Sequence, residues 1–500
     1  PPGEGWGEGI KKMNRSTLTL MNLPLPGSGP VAAEWHARVA DALGNQRTRA
    51  NIGRALDGLV AKRRAAFSDR DELERLRDQG QAIRAQALAC LPDLLAALER
   101  NCTANGIRVH WAETCDQANR EVLDILHRHE ARMLIKGKSM VSEELGLNAF
   151  LEAQGIEVVE TDLGELIVQL AEERPFHILA PAIHKDRRQI AELFKARFPE
   201  LPYSEDAEAL TATARRLLRE RFRGAVAGLT GVNFAVAETG TLALVENEGN
   251  GRMCTTVPEV HIAVTGIEKV IARLDQLPTL LTLLTRSATG QPITTYVNLI
   301  GAPRRTGELD GPQEVHLILL DNGRSRIFAD PELRTTLRCI RCGACLNHCP
   351  VYVRLGGHAY GTVYPGPIGG ILEPQLQGLA AAGSLVDASS LCGACDEICP
   401  VRIPIPRLLN RLRAEGVGAG SDSQVPGRGS RRDPRQAAIW RLWAWLHADP
   451  GRYRFLSGLL SRTGTLIPRL IRPWTKSRRP PRLAPKGLHR LAREAGFVDD

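Results

Sequence analysis

Apolar residues recur at three- and four-residue spacing in "EWHARVADALGNQRTRANIGRALDGLVAKRRAAF" and "ELERLRDQGQAIRAQALACLPDLLAALERN", segments rich in Ala, Leu, Arg and Glu. This spacing predicts a helical lead-in over residues 32–104. Short apolar runs then alternate with amphipathic segments: "IRVHWA", "CDQANREVLDILHRHE", "ARMLIKG", "SEELGLNAFLEAQG", "IEVVETD", "FHILAPA" and "KDRRQIAELFKARF". That cadence of strand and crossover helix predicts a parallel α/β sheet. A second set, "GAVAGLTGVNFAVAETGTLALVENEG", "VHIAVTG", "IEKVIARL" and "EVHLILLDNG", brings strands closer together, so some of them must be antiparallel.

The pattern changes again past Asp321, where Cys, Gly and Pro take over and helices shorten. The expected organisation is an α/β domain over 105–322, an α-helical cysteine-bearing domain over 323–415, a flexible Gly/Ser/Pro/Arg linker over 416–435 and a basic, Trp-rich helical tail over 436–500. Residues 1–31 are expected to be disordered or artefactual, with Met13 or Met21 marking the true start. With 500 residues, 43% hydrophobic and 24% charged, the chain can bury two or three cores. Residues 421–500 hold 17 basic against 6 acidic side chains, so the net charge of +9 belongs to the tail and the rest of the chain is slightly acidic. No uninterrupted apolar run of about 18 residues occurs. The opening "PPGEGWGEGIKKMNRS" has neither the apolar region nor the paired arginines of an export signal, and the expected compartment is the cytoplasm.

Cysteine usage carries the chemistry. Cys90, Cys102, Cys115 and Cys254 are scattered and read as small buried hydrophobes, whereas seven cysteines fall between 339 and 399. A local cluster of this kind points to metal or redox work rather than a disulfide framework. Cys339, Cys342, Cys345 and Cys349 follow the C-x2-C-x2-C-x3-C-P spacing of bacterial ferredoxins, in which the fourth cysteine serves the other cluster. The second run supplies Cys392, Cys395 and Cys399, again followed by proline. By the same crossing, one site is Cys339, Cys342, Cys345 and Cys399, and the other is Cys349, Cys392 and Cys395. At the position three before Cys392, where the run would begin, stands Ser389. Three readings stay open there: Ser389 or another oxygen or nitrogen ligand, an iron open to a small ligand, or a 3Fe-4S cluster. The first two keep a 4Fe-4S cluster and are favoured. Zinc usually takes four ligands in two separated pairs and has no use for seven thiolates with crossed C-P endings. Two iron–sulfur clusters imply single-electron transfer.

Weaker signals have plainer readings. "KGKS" lacks the glycine five residues before Gly137 that a phosphate-binding loop needs, since Arg132 stands there; Ser139 or Ser142 capping a helix explains it. Thr239-Gly240-Thr241 fits an anion loop or a hairpin turn equally well. His110, His177, His184 and His261 show no spacing that converges on a metal. Trp440, Trp443, Trp445 and Trp474 among arginines suit docking on an anionic membrane surface or on a partner, and equally a helical extension over the protein's own surface. No nucleic-acid reader motif accompanies that charge.

The motifs "KGKSMVSEELGLNAFLEAQGIEVVETDLGELIVQL", "VNFAVAETGTLALVENEGNGR", "LDGPQEVHLILLDNGRS", "CIRCGACLNHCPVY", "GGHAYGTVYPGPIGGIL" and "SSLCGACDEICPVRIPIPRLL" together resemble the lactate utilisation protein B family over roughly 32–500. The resemblance implies an α/β part of LUD type, distantly like sugar-phosphate isomerases and CoA transferases. It also implies an iron–sulfur subunit that acts with two companion lactate utilisation proteins in oxidising L-lactate to pyruvate. A serine at 389 is a trait of that family. Two other classes of function compete: the α/β domain as a catalyst on a carboxylate or CoA ester, for which no nucleophile and base can be assembled from the sequence, and a scaffold whose clusters are structural.

Overall fold

The structure, a computed structural model, describes residues 31–418, 425–431, 433–463 and 486–497. The chain divides into two compact units, residues 1–431 and 432–500. The expectation for residues 1–31 lies outside the described residues apart from Val31, which opens the first helix.

The first unit begins with helices Val31–Gly44, Gln46–Ala66, Arg70–Ala89 and Leu91–Ala104. Asn45 and Asp69 start the second and third by accepting hydrogen bonds from backbone N–H groups of the first turn. The buried face of Arg70–Ala89 is unusual: Arg77, Gly80, Arg84, Ala87 and Leu88 fall at the helical repeat, so two arginines occupy positions that apolar residues would normally fill.

Ten strands follow: β1 Arg108–Ala112, β2 Met133–Gly137, β3 Glu157–Glu160, β4 Ala227–Gly231, β5 Phe234–Val236, β6 Thr241–Glu246, β7 Val260–Gly266, β8 Val270–Ile271, β9 Tyr296–Ile300 and β10 Glu314–Leu320. Six of them form a sheet in the order β1-β10-β7-β4-β2-β3, parallel at every pairing, with Ile318 opposite Val264 and Leu229 opposite Ile262. Every residue of β4 and β7 is buried, which is why polar and apolar positions do not alternate along these strands. The remaining strands make a smaller sheet, β8-β5-β6-β9, with antiparallel pairs β5–β6 and β6–β9.

Several local expectations are corrected. "FHILAPA" is not a strand: Phe176 N–H bonds to the Pro181 carbonyl at 2.9 Å, and the Phe176 carbonyl accepts from the Tyr352 hydroxyl at 2.7 Å. Its apolar residues are spent on packing against the cysteine-bearing region. β9 had no counterpart in the sequence reading, because its positions alternate only between half-buried and exposed. Cys90 is exposed and Cys115 half-buried; only Cys102 and Cys254 are the buried hydrophobes expected. Thr239-Gly240-Thr241 is the β5–β6 hairpin, with Gly240 at φ +66° and a Cβ there only 2.7 Å from Asn101 backbone. Ser139 caps helix Met140–Leu145 through the Ser142 N–H. Within the stretch expected as a flexible linker, residues 425–431 are pinned: Val425 is buried, Leu379 N–H bonds to the Pro426 carbonyl at 2.7 Å and Gly429 N–H to that of Glu415 at 2.8 Å.

In the second unit, helices Pro434–His447 and Pro450–Thr463 lie against each other, with the Arg452 guanidinium 4.3 Å from the Trp445 ring centroid and Trp443 stacked on His447. Trp474 lies outside the described residues. Among the described residues, no helix is long and apolar enough to cross a membrane.

Beyond the C-terminal ends of β2, β7 and β10 lies a buried charged group. Arg324, fully buried after β10, bonds to Glu144 at 2.7 and 2.9 Å and to Glu268 at 2.7 Å, and Glu144 also accepts from the Tyr364 hydroxyl and Asn322. Removing one member of such a group leaves uncompensated charge in the interior. Arg324→Met is expected to cost about 3–5 kcal/mol, read as a lower urea midpoint. A wild-type midpoint would contradict this account.

Candidate metal centre

The two cysteine runs fold alike. Each follows a tight 3-10 helix, Leu333–Arg338 or Gly383–Asp387, and each turns through a left-handed residue, Arg341 at φ +61° or Leu391 at φ +55°. A left-handed glycine comes next, Gly343 at φ +70° or Gly393 at φ +85°, and then a one-turn helix, Ala344–Asn347 or Ala394–Glu397. Bulky residues in that conformation are strained and persist only where surroundings impose them. The result is a curl that aims successive side chains inward.

The curls bring the thiols into two neighbouring groups. Burial pushes the Cys342 thiol up to about 12, and Cys339 and Cys399 act on it as well. Cys345 is pushed well above the usual thiol range by burial, with Cys339, Cys342 and Cys399 adding, and with Cys395 acting from the other group. Burial also raises Cys349, on which Cys392 acts, and lifts Cys395 to about 12, with Cys349 and Cys392 adding. Only Cys392 is shifted down, by the Ala394 N–H and the Ser390 hydroxyl, and it is exposed. Thiols crowded and buried in this way ionise readily only beside a strong positive charge, which an iron–sulfur core supplies, so the donor set fits such a group.

The first group is set among buried cations. Arg77 Nε donates to the Cys399 carbonyl at 3.1 Å, Arg63 reaches the Ile398 carbonyl at 3.4 Å and Lys269 Nζ the Cys339 carbonyl at 3.4 Å. Arg84 bonds to the carbonyls of Val270 at 2.8 Å and Leu337 at 3.0 Å, and Arg341 lies 4.5 Å from the Tyr364 ring centroid while pairing with Glu268. Burial lowers Lys269 to about 7 and Arg84 to about 10. Around the second group charges of both signs occur: Asp396 raises Cys395 further and Glu397 opposes the lowering of Cys392, while Arg413 donates to the Ser389 carbonyl at 3.3 Å.

None of these cations outside the motif was singled out from the sequence. The available signal was the pair Arg77 and Arg84, seven residues apart on a helix face whose other members are apolar or small. Gly80 on the same face comes so close that a Cβ there would lie 3.4 Å from the Pro400 carbonyl, tying this helix to the second curl. Nor was His177 recognised as a neighbour of the cysteines: it is buried, with Nε2 2.9 Å from Asn347 Oδ1, and its ring stands 3.1 Å from a Cβ built on Gly343.

The other histidines have separate surroundings. His261 is fully buried on Thr230, at 2.9 Å, and burial holds it down to about 3. His110 lies 3.0 Å from His316, and His316 forms a group with His129 and Glu314; His184 forms another with Glu173 and His358. Each histidine of those two groups has a hydrogen-bond partner within the protein. At the ends of β2 and β3, Lys136 pairs with Glu143 and Glu160, and Lys138 with Asp162 and Glu248, while Glu160 Oε2 is buried without a hydrogen-bond partner.

Comparison with known proteins accords with this division. Residues 95–320 match the LUD domain family, residues 335–403 the 4Fe-4S dicluster domain family and residues 411–497 the family described as lactate utilisation protein B, C-terminal. The chain is 42% identical over 425 residues to the uncharacterized electron transport protein YkgF of Escherichia coli (strain K12), spanning 84% of this chain and 86% of that protein. It is similar to lactate utilization protein B of Bacillus licheniformis, at 44% identity over 76% of this chain and 80% of the other, and to that of Macrococcus caseolyticus, at 46% over 72% and 76%. The dicluster match takes in all seven clustered cysteines, and the cofactors of this chain are iron–sulfur clusters of the 4Fe-4S type.

Gly343→Val would place a β-branched side chain at φ +70° against His177. It is expected to lower bound iron by about half, measured by elemental analysis after anaerobic purification. Full iron content in the variant would contradict the role given to this turn.

Proposed function

Because the chain belongs to the lactate utilization protein B family, we propose that it is the iron–sulfur electron-transfer subunit of a system that oxidises L-lactate to pyruvate. In this reading Cys339, Cys342, Cys345 and Cys399 hold one cluster, and Cys349, Cys392 and Cys395 hold the other together with a fourth ligand. The observation that carries it is the neighbourhood of the two thiol groups, in which Cys345 of one set acts on Cys395 of the other's. When bound, the clusters supply one-electron uptake and release.

The protein's own residues divide the work. Arg63, Arg77, Arg84, Lys269 and Arg341 place buried positive charge beside the first group, which favours added negative charge there. The exposed Cys392 gives the second group a face toward solvent, where the redox centre of another protein can approach. In this reading lactate itself is oxidised on a companion, and this chain carries the electrons away. Two companion lactate utilisation proteins are the proposed partners, and the electron acceptor is left unassigned. The proposed compartment is the cytoplasm, with the exposed Trp440, Trp443 and Trp445 of the second unit as a peripheral contact with the membrane.

Anaerobically purified protein is expected to carry about eight irons and to be reduced and reoxidised reversibly. Zinc in place of iron would overturn the proposal, and irreversible clusters would favour a scaffold. In the presence of both companions, L-lactate should elicit the electron paramagnetic resonance (EPR) signals of reduced clusters; no reduction would remove lactate from the account. Arg341→Gln is expected to lower the potential of the first cluster while Arg341→Lys retains it, read by EPR-monitored redox titration. Equal potentials in wild type and Arg341→Gln would show that the buried cations do not tune it.

A further inference from the structure

The two curls are related position by position at an offset of fifty residues, and the relation extends to their hydrogen bonds. Leu346 N–H bonds to the Gly343 carbonyl at 2.9 Å, and Asp396 N–H to that of Gly393 at 2.9 Å; Cys349 N–H reaches the Leu346 carbonyl at 3.2 Å, and Cys399 N–H that of Asp396 at 3.2 Å. Under this relation Cys342, Cys345 and Cys349 match Cys392, Cys395 and Cys399, and Cys339 matches Ser389.

The match at Ser389 is not one of sequence position alone. Arg341 N–H donates to Cys339 Sγ at 3.4 Å, and Leu391 N–H donates to Ser389 Oγ at 3.1 Å. Both donors belong to the left-handed residue of their curl. The Ser389 hydroxyl is therefore oriented by the same backbone contact that orients the first thiol of the other run. Arg413 holds this stretch from behind, donating to the carbonyls of Val386 at 2.8 Å and Ser389 at 3.3 Å.

We propose that Ser389 Oγ is the fourth ligand of the second cluster, standing to it as Cys339 stands to the first. This rests on the ligand assignment proposed above. On binding, the hydroxyl proton leaves to solvent and the Oγ–iron bond takes its place, with the Leu391 N–H donating to the alkoxide. Oxygen is a harder donor than sulfur and favours the more oxidised iron, so the second cluster sits at a lower potential than four thiolates would give it. Asp396 and Glu397 act in the same direction, and Arg413, donating to the Ser389 carbonyl, acts against it.

The full-length chain, reconstituted anaerobically with iron and sulfide, tests this through wild type, Ser389→Ala and Ser389→Cys. Wild type is expected to hold about eight irons and to resist conversion on mild oxidation. Ser389→Ala should fall to about seven with a new 3Fe-4S EPR signal. Ser389→Cys should keep the wild-type count and shift the potential of the second cluster upward. If Ser389→Ala retains all its iron and the wild-type potential, or if wild type converts to 3Fe-4S as readily as the variant, Ser389 is not the ligand. Should Ser389→Ala not fold, the potential of Ser389→Cys decides alone, and an unchanged value overturns the proposal. Wild type that takes up zinc, or no iron, would instead defeat the underlying assignment.

Discussion

Gathering negative charge in a protein interior is unfavourable unless positive charge is gathered with it, and the first unit is organised around that requirement. Its buried thiols draw compensation from several parts of the chain: Arg63, Arg77 and Arg84 from the helical lead-in, Lys269 from the segment after β7 and Arg341 from the curl itself. Lead-in, sheet and cysteine region consequently form one unit in the contacts of the fold rather than a string of independent modules. The Arg324, Glu144 and Glu268 group extends the same logic to the C-terminal ends of the sheet strands, where Glu268 is shared with Arg341. Burial alone would raise Glu268, and the surrounding Arg324, Arg341 and Lys269 hold it down to about 2.

Much of this was legible in the sequence because the decisive features are local. The C-x2-C-x2-C-x3-C-P spacing is set by what one loop can reach, and the mainly apolar, non-alternating sequences of β7 and β10 reflect strands covered on both faces. What escaped depended on contacts distant in sequence. "FHILAPA" carries strand-like residues, but Phe176 and Pro181 close a loop that Tyr352 fastens from far along the chain. β9 is too exposed to leave an apolar signature. Arg77 and Arg84 resemble any surface arginine until the helix face they occupy is known to be buried.

Resemblance to a family and physical reading contributed different things. The cysteine spacing supports iron–sulfur chemistry without any relative, whereas nothing in the sheet or the curls specifies lactate. The structure added the asymmetry between the two thiol groups: one enclosed among several buried cations, the other with charges of both signs nearby and Cys392 exposed. Two donor sets of similar composition thus acquire different electrostatic settings from the rest of the chain.

The exchange of cysteines between curls bears on how the protein is made. Cys399 lies with Cys339, Cys342 and Cys345, and Cys349 lies with Cys392 and Cys395. With the ligand sets proposed above, a nascent chain that has emerged only as far as Cys349 holds neither complete set. Cofactor loading therefore waits until the second curl has left the ribosome and folded back, which makes maturation a single late event.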